Sequence, residues 1–187
     1  MRCCAVIHIL SPDDFEPEYN DPIRRTLHPL LHFTHNSPPV YHNLLESPFH
    51  TSSIEFLNLS RPHNEIDFAQ LACQPSTSLI RLVHPRLPWY VDIHQVHPNG
   101  VTVLDVLAQM HMQLHTQIQP RHFYNEELTD VDRAEITKAF HTRCKGDTSL
   151  MAKGILQVDF LGDKVVFQGL SRATKGLFEI KLSRDRF

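Results

Sequence analysis

Four histidines and one aspartate are the residues best spaced for chemistry in this chain. His94 and His97 are separated by two residues. His111 and His115 stand at i and i+4, which on a helix points two imidazoles the same way, as a zinc site needs. His94, His97, His111 and His115 are therefore the candidate metal ligands, and Asp92 can add an oxygen donor. No glutamate adjoins His111, so the two-histidine metalloprotease motif is absent. Asp92 and His94 share one side of an alternating run with Tyr90. They are the candidate catalytic residues, because a carboxylate beside an imidazole can move a proton under a pocket. The plainer reading is a solvent-facing strand and hydrated imidazoles in a chain with 14 histidines.

The elements that must position these groups follow from periodicity. In residues 89–96, Trp89, Val91 and Ile93 point one way, and Tyr90, Asp92 and His94 the other. Residues 79–83 form an apolar, β-branched run just before it. The two are expected to be antiparallel neighbours, with Pro85 and Pro88 limiting pairing at the connection. Pro98, Asn99 and Gly100 then make a turn. The helix carrying His111 and His115 starts at Thr102, an N-cap with Asp105 three residues on, and Val101 and Val106 take the staple positions. Val103, Val106, Leu107, Met110 and Leu114 make its apolar face. Pro120 ends that region.

A second helix is expected from Thr129, with Asp130 and Asp132 at its positive end. Ile136, Ala139, Phe140 and Cys144 form its buried stripe, and Gly146 stops it. Cys144 on that stripe reads as an inert core thiol rather than a nucleophile, with Arg143 beside it seeking a carboxylate. Residues 54–59 and 66–71 read as candidate strands or short extended runs. Residues 156–160 alternate, Gly162-Asp163 offers a two-residue hairpin turn, and Val165 and Phe167 continue on the return strand. Residues 177–182 alternate again as a third strand. The order of strands, two helices and strands predicts an α+β fold: a mostly antiparallel sheet with two main helices packed on one face.

Composition narrows the function classes. The chain has 187 residues with a formal net charge of -3, too weak for a global nucleic-acid field. Charge is uneven, however. Residues 1–137 sum to -8, while residues 138–187 sum to +5 and hold all six lysines. Most of that basic surface reads as solvated, with a weak anion-binding face as the alternative. Glycine is absent before Gly100, and seven of the 13 prolines fall in the first 50 residues. That segregation predicts a Pro- and His-rich arm over residues 1–49, partly ordered, and a single domain over residues 50–187. No phosphate loop, nucleophile elbow or dinucleotide fingerprint occurs, so no cofactor is expected.

The four cysteines match no zinc ribbon. Adjacent Cys3 and Cys4 beside Arg2 are candidates for acylation, against the plainer reading as ordinary thiols. No run approaches the roughly 18 apolar residues of a membrane span, and the N-terminus lacks a secretory pattern. A reducing, cytoplasmic setting is expected, with the nucleus left open.

Several segments together resemble a known family. They are Pro88-Trp89-Tyr90-Val91, Gly100-Val101-Thr102-Val103 with Asp105-Val106-Leu107, and Arg143-Cys144. Gly154, Val158-Asp159-Phe160-Leu161-Gly162 and Phe167-Gln168-Gly169-Leu170 complete the series. Over roughly residues 50–183 the chain resembles a fungal, mainly basidiomycete, domain-of-unknown-function family, number 6699. The resemblance implies a fold and a fungal setting and carries no catalytic residues. Together these features favour a non-enzymatic binding or scaffold module with a protein partner. A small hydrolase-like enzyme using Asp92 and His94, and a metal-binding protein, are the alternatives.

Overall fold

The computed structural model describes residues 23–35, 37–50 and 53–184. Cys3 and Cys4 lie outside them. Among the described residues, eight strands and five α-helices follow in chain order: β1 Thr26–Leu27, β2 Val40–Asn43, β3 Ile54–Phe56, α1 Glu65–Phe68, β4 Cys73–Gln74, β5 Leu79–Val83 and β6 Val91–His94. Then come α2 Val103–Leu114, α3 Pro120–Phe123, α4 Asp130–Cys144, α5 Thr148–Ala152, β7 Val166–Arg172 and β8 Phe178–Ser183. Six strands form one sheet in the order β3-β2-β7-β8-β5-β6, and β1 pairs with β4 apart from it. The large sheet is mixed: β5 and β8 run parallel, and its other neighbours are antiparallel.

The expected β5–β6 pairing is present, with Ile80 opposite Ile93 and Arg81 opposite Asp92. Val91 and Ile93 are fully buried, as the alternation requires. The α2 cap also forms as read. Thr102 Oγ1 accepts from the Asp105 amide at 3.2 Å, and the Asp105 carboxylate accepts from the Thr102 amide at 2.9 Å. Val103, Val106, Leu107, Met110 and Leu114 are all buried. Thr129 caps α4, and Ile136 and Cys144 are its buried residues. Ala139 and Phe140 are only half-buried. Lys145 closes the helix in the left-handed conformation (φ 47°), one residue before Gly146.

Three expectations differ from the structure. The segment read as a strand at residues 66–71 begins with α1, because Asn64 caps it and Asp67 reaches back to the Asn64 amide. The alternating run at residues 156–160 is no strand; it forms a 3₁₀ helix, Gln157–Leu161. Its polar member explains this: Asp159 is 2% exposed and accepts from the Leu156 amide at 2.9 Å. Alternation there reflected a buried carboxylate rather than a solvent face.

The boundary expected at residue 50 also falls inside the sheet. β2 lies between β3 and β7, and Leu30, Leu31, Val40 and Leu44 belong to the main core. Residues 31–33 run beside β7, with the Leu170 amide donating to the Leu31 carbonyl and the Phe33 amide to the Leu170 carbonyl. Gly169 makes this approach possible. It sits at φ 120° beside a register shift, and an added Cβ would lie 2.7 Å from the Leu31 oxygen.

Candidate functional site

Asp92 sits on β6 at the sheet edge, and its carboxylate is already engaged. Arg81 donates from Nε to Oδ1 at 2.7 Å and from Nη2 to Oδ2 at 2.6 Å. The same guanidinium covers the Tyr90 ring at 4.6 Å. His94 and His97 are exposed. The trio Tyr90, Asp92 and His94 therefore carries a bidentate ion pair and an aromatic–cation contact on its face.

The open edge of β6 is closed by two glutamines of α2. Gln109 Oε1 accepts from the His94 amide at 2.9 Å, and its Nε2 donates to the His94 carbonyl at 2.6 Å. Gln113 does the same for Asp92, with its amide group accepting at 3.1 Å and donating to the Asp92 carbonyl. Residues four apart on a helix thus pair with residues two apart on a strand. The side-chain amides act as a substitute neighbouring strand.

This ladder also determines where the helix histidines point. His111 and His115 lie about 200° round α2 from Gln109 and Gln113, at 3.6 residues per turn. They lie on a different side of α2 from β6, with His111 near His42 on β2 and His115 near Arg143 and Asp159. Their rings stack at 4.0 Å between centroids, and His115 Nδ1 donates to the His111 carbonyl at 2.9 Å. Burial, helped by the neighbouring His115 and His42 imidazoles, pushes His111 down to about 4. His115 is also held below its ordinary range, chiefly by burial. The structure thus brings His111 and His115 together, puts His94 beside Gln109 on another side of the helix and leaves His97 exposed in the loop after β6. Among the described residues, no group of three or more His, Cys, Asp or Glu is placed to hold a metal ion.

A cleft lies elsewhere, between α4, the 3₁₀ helix and the segment leading into β7. Its volume is about 270 Å³. Leu45, Ala139, Val158 and Val165 supply apolar lining. Three ion pairs surround it: Arg86–Glu135 at 2.7 Å, Arg143–Asp159 at 2.8 Å and Arg184–Asp163 at 2.9 Å. The members differ in depth. Arg143 and Asp159 side chains are 8% and 1% exposed, while those of Arg184 and Asp163 are 66% and 59% exposed. Lys138 lines the same cleft and is exposed. Arg86 also donates to the Leu161 carbonyl at 3.2 Å across Gly162, where any Cβ would collide with its guanidinium.

Sequence reading located Arg143 and its need for a carboxylate, but not the cleft. Arg86, Glu135, Lys138 and Arg184 belong to no motif, and Asp163 was read only as part of a turn. One signal was available: Arg143, Gly154 and Asp159 all lie in segments that carry the family resemblance. They meet in space, Arg143 donating to Asp159 at 2.8 Å and to the Gly154 carbonyl at 3.0 Å. Trp89, from another such segment, touches Phe160, next to Asp159, edge to face at 5.0 Å.

A six-stranded mixed sheet edged by a glutamine-lined helix, with a charged cleft over a buried ion pair, defines an α+β domain. The chain belongs to a family of unknown function (DUF6699), whose model matches residues 31–176. That match starts before β2, in agreement with the sheet. No curated protein and no solved structure matches the chain. Among the described residues no helix is long and apolar enough to cross a membrane.

Proposed function

We propose that the chain is a non-enzymatic binding module and that the α4 cleft is its recognition site. One observation carries the reading: among the described residues, every acid lining the cleft is matched by a guanidinium. Glu135 meets Arg86, Asp159 meets Arg143 and Asp163 meets Arg184. Such a rim orients and holds a charged ligand over an apolar floor, and it offers no uncommitted carboxylate to serve as a base. The surplus cation, Lys138, gives the cleft a preference for acidic protein segments. The setting is a reducing, cytoplasmic one, and the partner is a protein. A hydrolase reading centred on Asp92 and His94 would require Asp92 to leave Arg81.

The test is amide chemical-shift mapping of the full chain with short acidic, neutral and basic peptides that each carry one aromatic side chain. Acidic peptides should move signals from residues 135–143 and 158–165, and every peptide should be recovered intact. Cleavage of any peptide or simple ester that is lost in Asp92→Asn or His94→Gln would replace this reading with the enzymatic one.

A further inference from the structure

The cleft raises the question of what fills it, and the chain itself offers a candidate. Residues 12–21 read Pro-Asp-Asp-Phe-Glu-Pro-Glu-Tyr-Asn-Asp. They hold five acidic side chains, no basic one, and two aromatic rings, Phe15 and Tyr19. We infer that this segment is the occupant of the α4 cleft, bound within its own chain; the inference rests on the binding reading above.

Charge is the first argument. Among the described residues, the cleft lining holds Arg86, Lys138, Arg143 and Arg184 against Glu135, Asp159 and Asp163, one positive charge in excess. The segment supplies the opposite sign, and Phe15 supplies the apolar group that the floor of Leu45, Ala139, Val158 and Val165 accepts.

Reach is the second argument. The described chain starts at Ile23, and Arg25 is anchored nearby: it donates to the Pro75 and Ser76 carbonyls, while Arg172 donates to the Arg25 carbonyl. Arg172 is the far end of β7, and the cleft borders the other end, at Val165. The length of β7 separates them, about 20 Å at 3.3 Å per residue. Ten residues from Arg25 back to Phe15 extend to about 33 Å at most. Phe15 and the carboxylates around it can therefore reach the cleft with slack to spare. A tether of this length also supplies a millimolar-range effective concentration, so weak contacts suffice to keep the site filled.

The experiment uses the full chain and a variant with D13N, D14N, E16Q, E18Q and F15A together. The variant should shift amide signals of residues 135–143 and 158–165, equally at low and high protein concentration. A synthetic peptide of residues 11–22 should bind the variant at least tenfold more tightly than the parent chain, whose cleft is already filled. In the parent monomer, carbodiimide should join Lys138 to a carboxylate among Asp13, Asp14, Glu16 and Glu18. Signal changes confined to residues 1–25 overturn the inference, and a concentration-dependent change overturns it in favour of a second copy. If unrelated acidic peptides bind the parent and the variant equally, the occupant is another protein: the inference fails and the cleft reading stands. If no acidic peptide moves the cleft signals of either chain, both fail.

Discussion

Arg143 and Asp159 are joined by two parallel hydrogen bonds of 2.8 Å, Nε to Oδ1 and Nη2 to Oδ2, with almost no exposure of either side chain. The pair ties the last turn of α4 to the 3₁₀ helix beneath the cleft. Asp159 holds Arg143 above its ordinary range, so this guanidinium stays charged throughout. Removing one partner strands the other charge in the interior, which costs about 3–5 kcal/mol. Arg143→Met or Asp159→Asn should therefore lower the urea midpoint sharply. The double variant R143M/D159N should be less destabilised than the two single losses summed. A double variant no better than that sum would show that the pair contributes only through local packing.

The glutamine ladder predicts an aggregation phenotype. Gln109→Ala with Gln113→Ala removes four hydrogen bonds to Asp92 and His94 and uncovers the edge of β6. Each net hydrogen bond is worth about 1 kcal/mol, so stability should fall by a few kcal/mol. The exposed strand edge should also recruit other chains, visible as light scattering that rises with concentration. Substitution of exposed Gln95 by Ala, as a control, should leave both readouts unchanged.

What was legible in the sequence divides by physical cause. The α2 and α4 starts were readable because N-caps act locally: Thr102 and Asp105, or Thr129 and Asp132, satisfy each other within one turn. β6 was readable because one buried face enforces alternation, and β5 because it is a short apolar run buried along nearly its whole length. The 3₁₀ helix was not, since Asp159 mimics a solvent-facing residue until its partner 16 positions away is known. β2 was missed for a related reason. Only four residues long, it lies amid prolines, and its place in the sheet depends on β7, more than 120 residues later. The cleft was invisible because its charged residues come from four separate segments with no shared spacing.

Gly169 offers a test of how far the domain extends toward the N-terminus. A methyl group there would meet the Leu31 oxygen at 2.7 Å and Pro39 Cγ at 3.1 Å, at a φ that side chains avoid. Gly169→Ala should destabilise the chain by about 2 kcal/mol or more. Hydrogen exchange should quicken at Phe33 and Leu170, whose amides bond across this contact. Unchanged exchange at Phe33 would mean that residues 31–33 are not held against β7.

Buried imidazoles predict acid sensitivity well above the carboxylate range. His84 is 9% exposed, and burial pushes it from near 6.5 down to about 4, with Arg86, Lys164 and Lys181 lowering it further and Glu179 opposing. His111 is likewise pushed down to about 4, and His28 and His115 are lowered. In each case the unfolded chain binds protons that the folded chain refuses. Stability is therefore complete above about pH 6.5 and is lost as pH falls from there toward 4. For His84 the full loss is about 3 kcal/mol; for His111, partly open to solvent, it is smaller. The urea midpoint should fall steadily between pH 6.5 and 5, a window in which Asp132 and Asp147, both held below the usual carboxylate range, remain ionised. His84 Nδ1 accepts from the Arg86 amide at 3.2 Å, and an asparagine oxygen can take that hydrogen bond without titrating. His84→Asn should therefore flatten the pH dependence while leaving the neutral-pH fold intact. An unchanged slope in that variant would remove His84 as its source and leave the histidines around α2 to account for it.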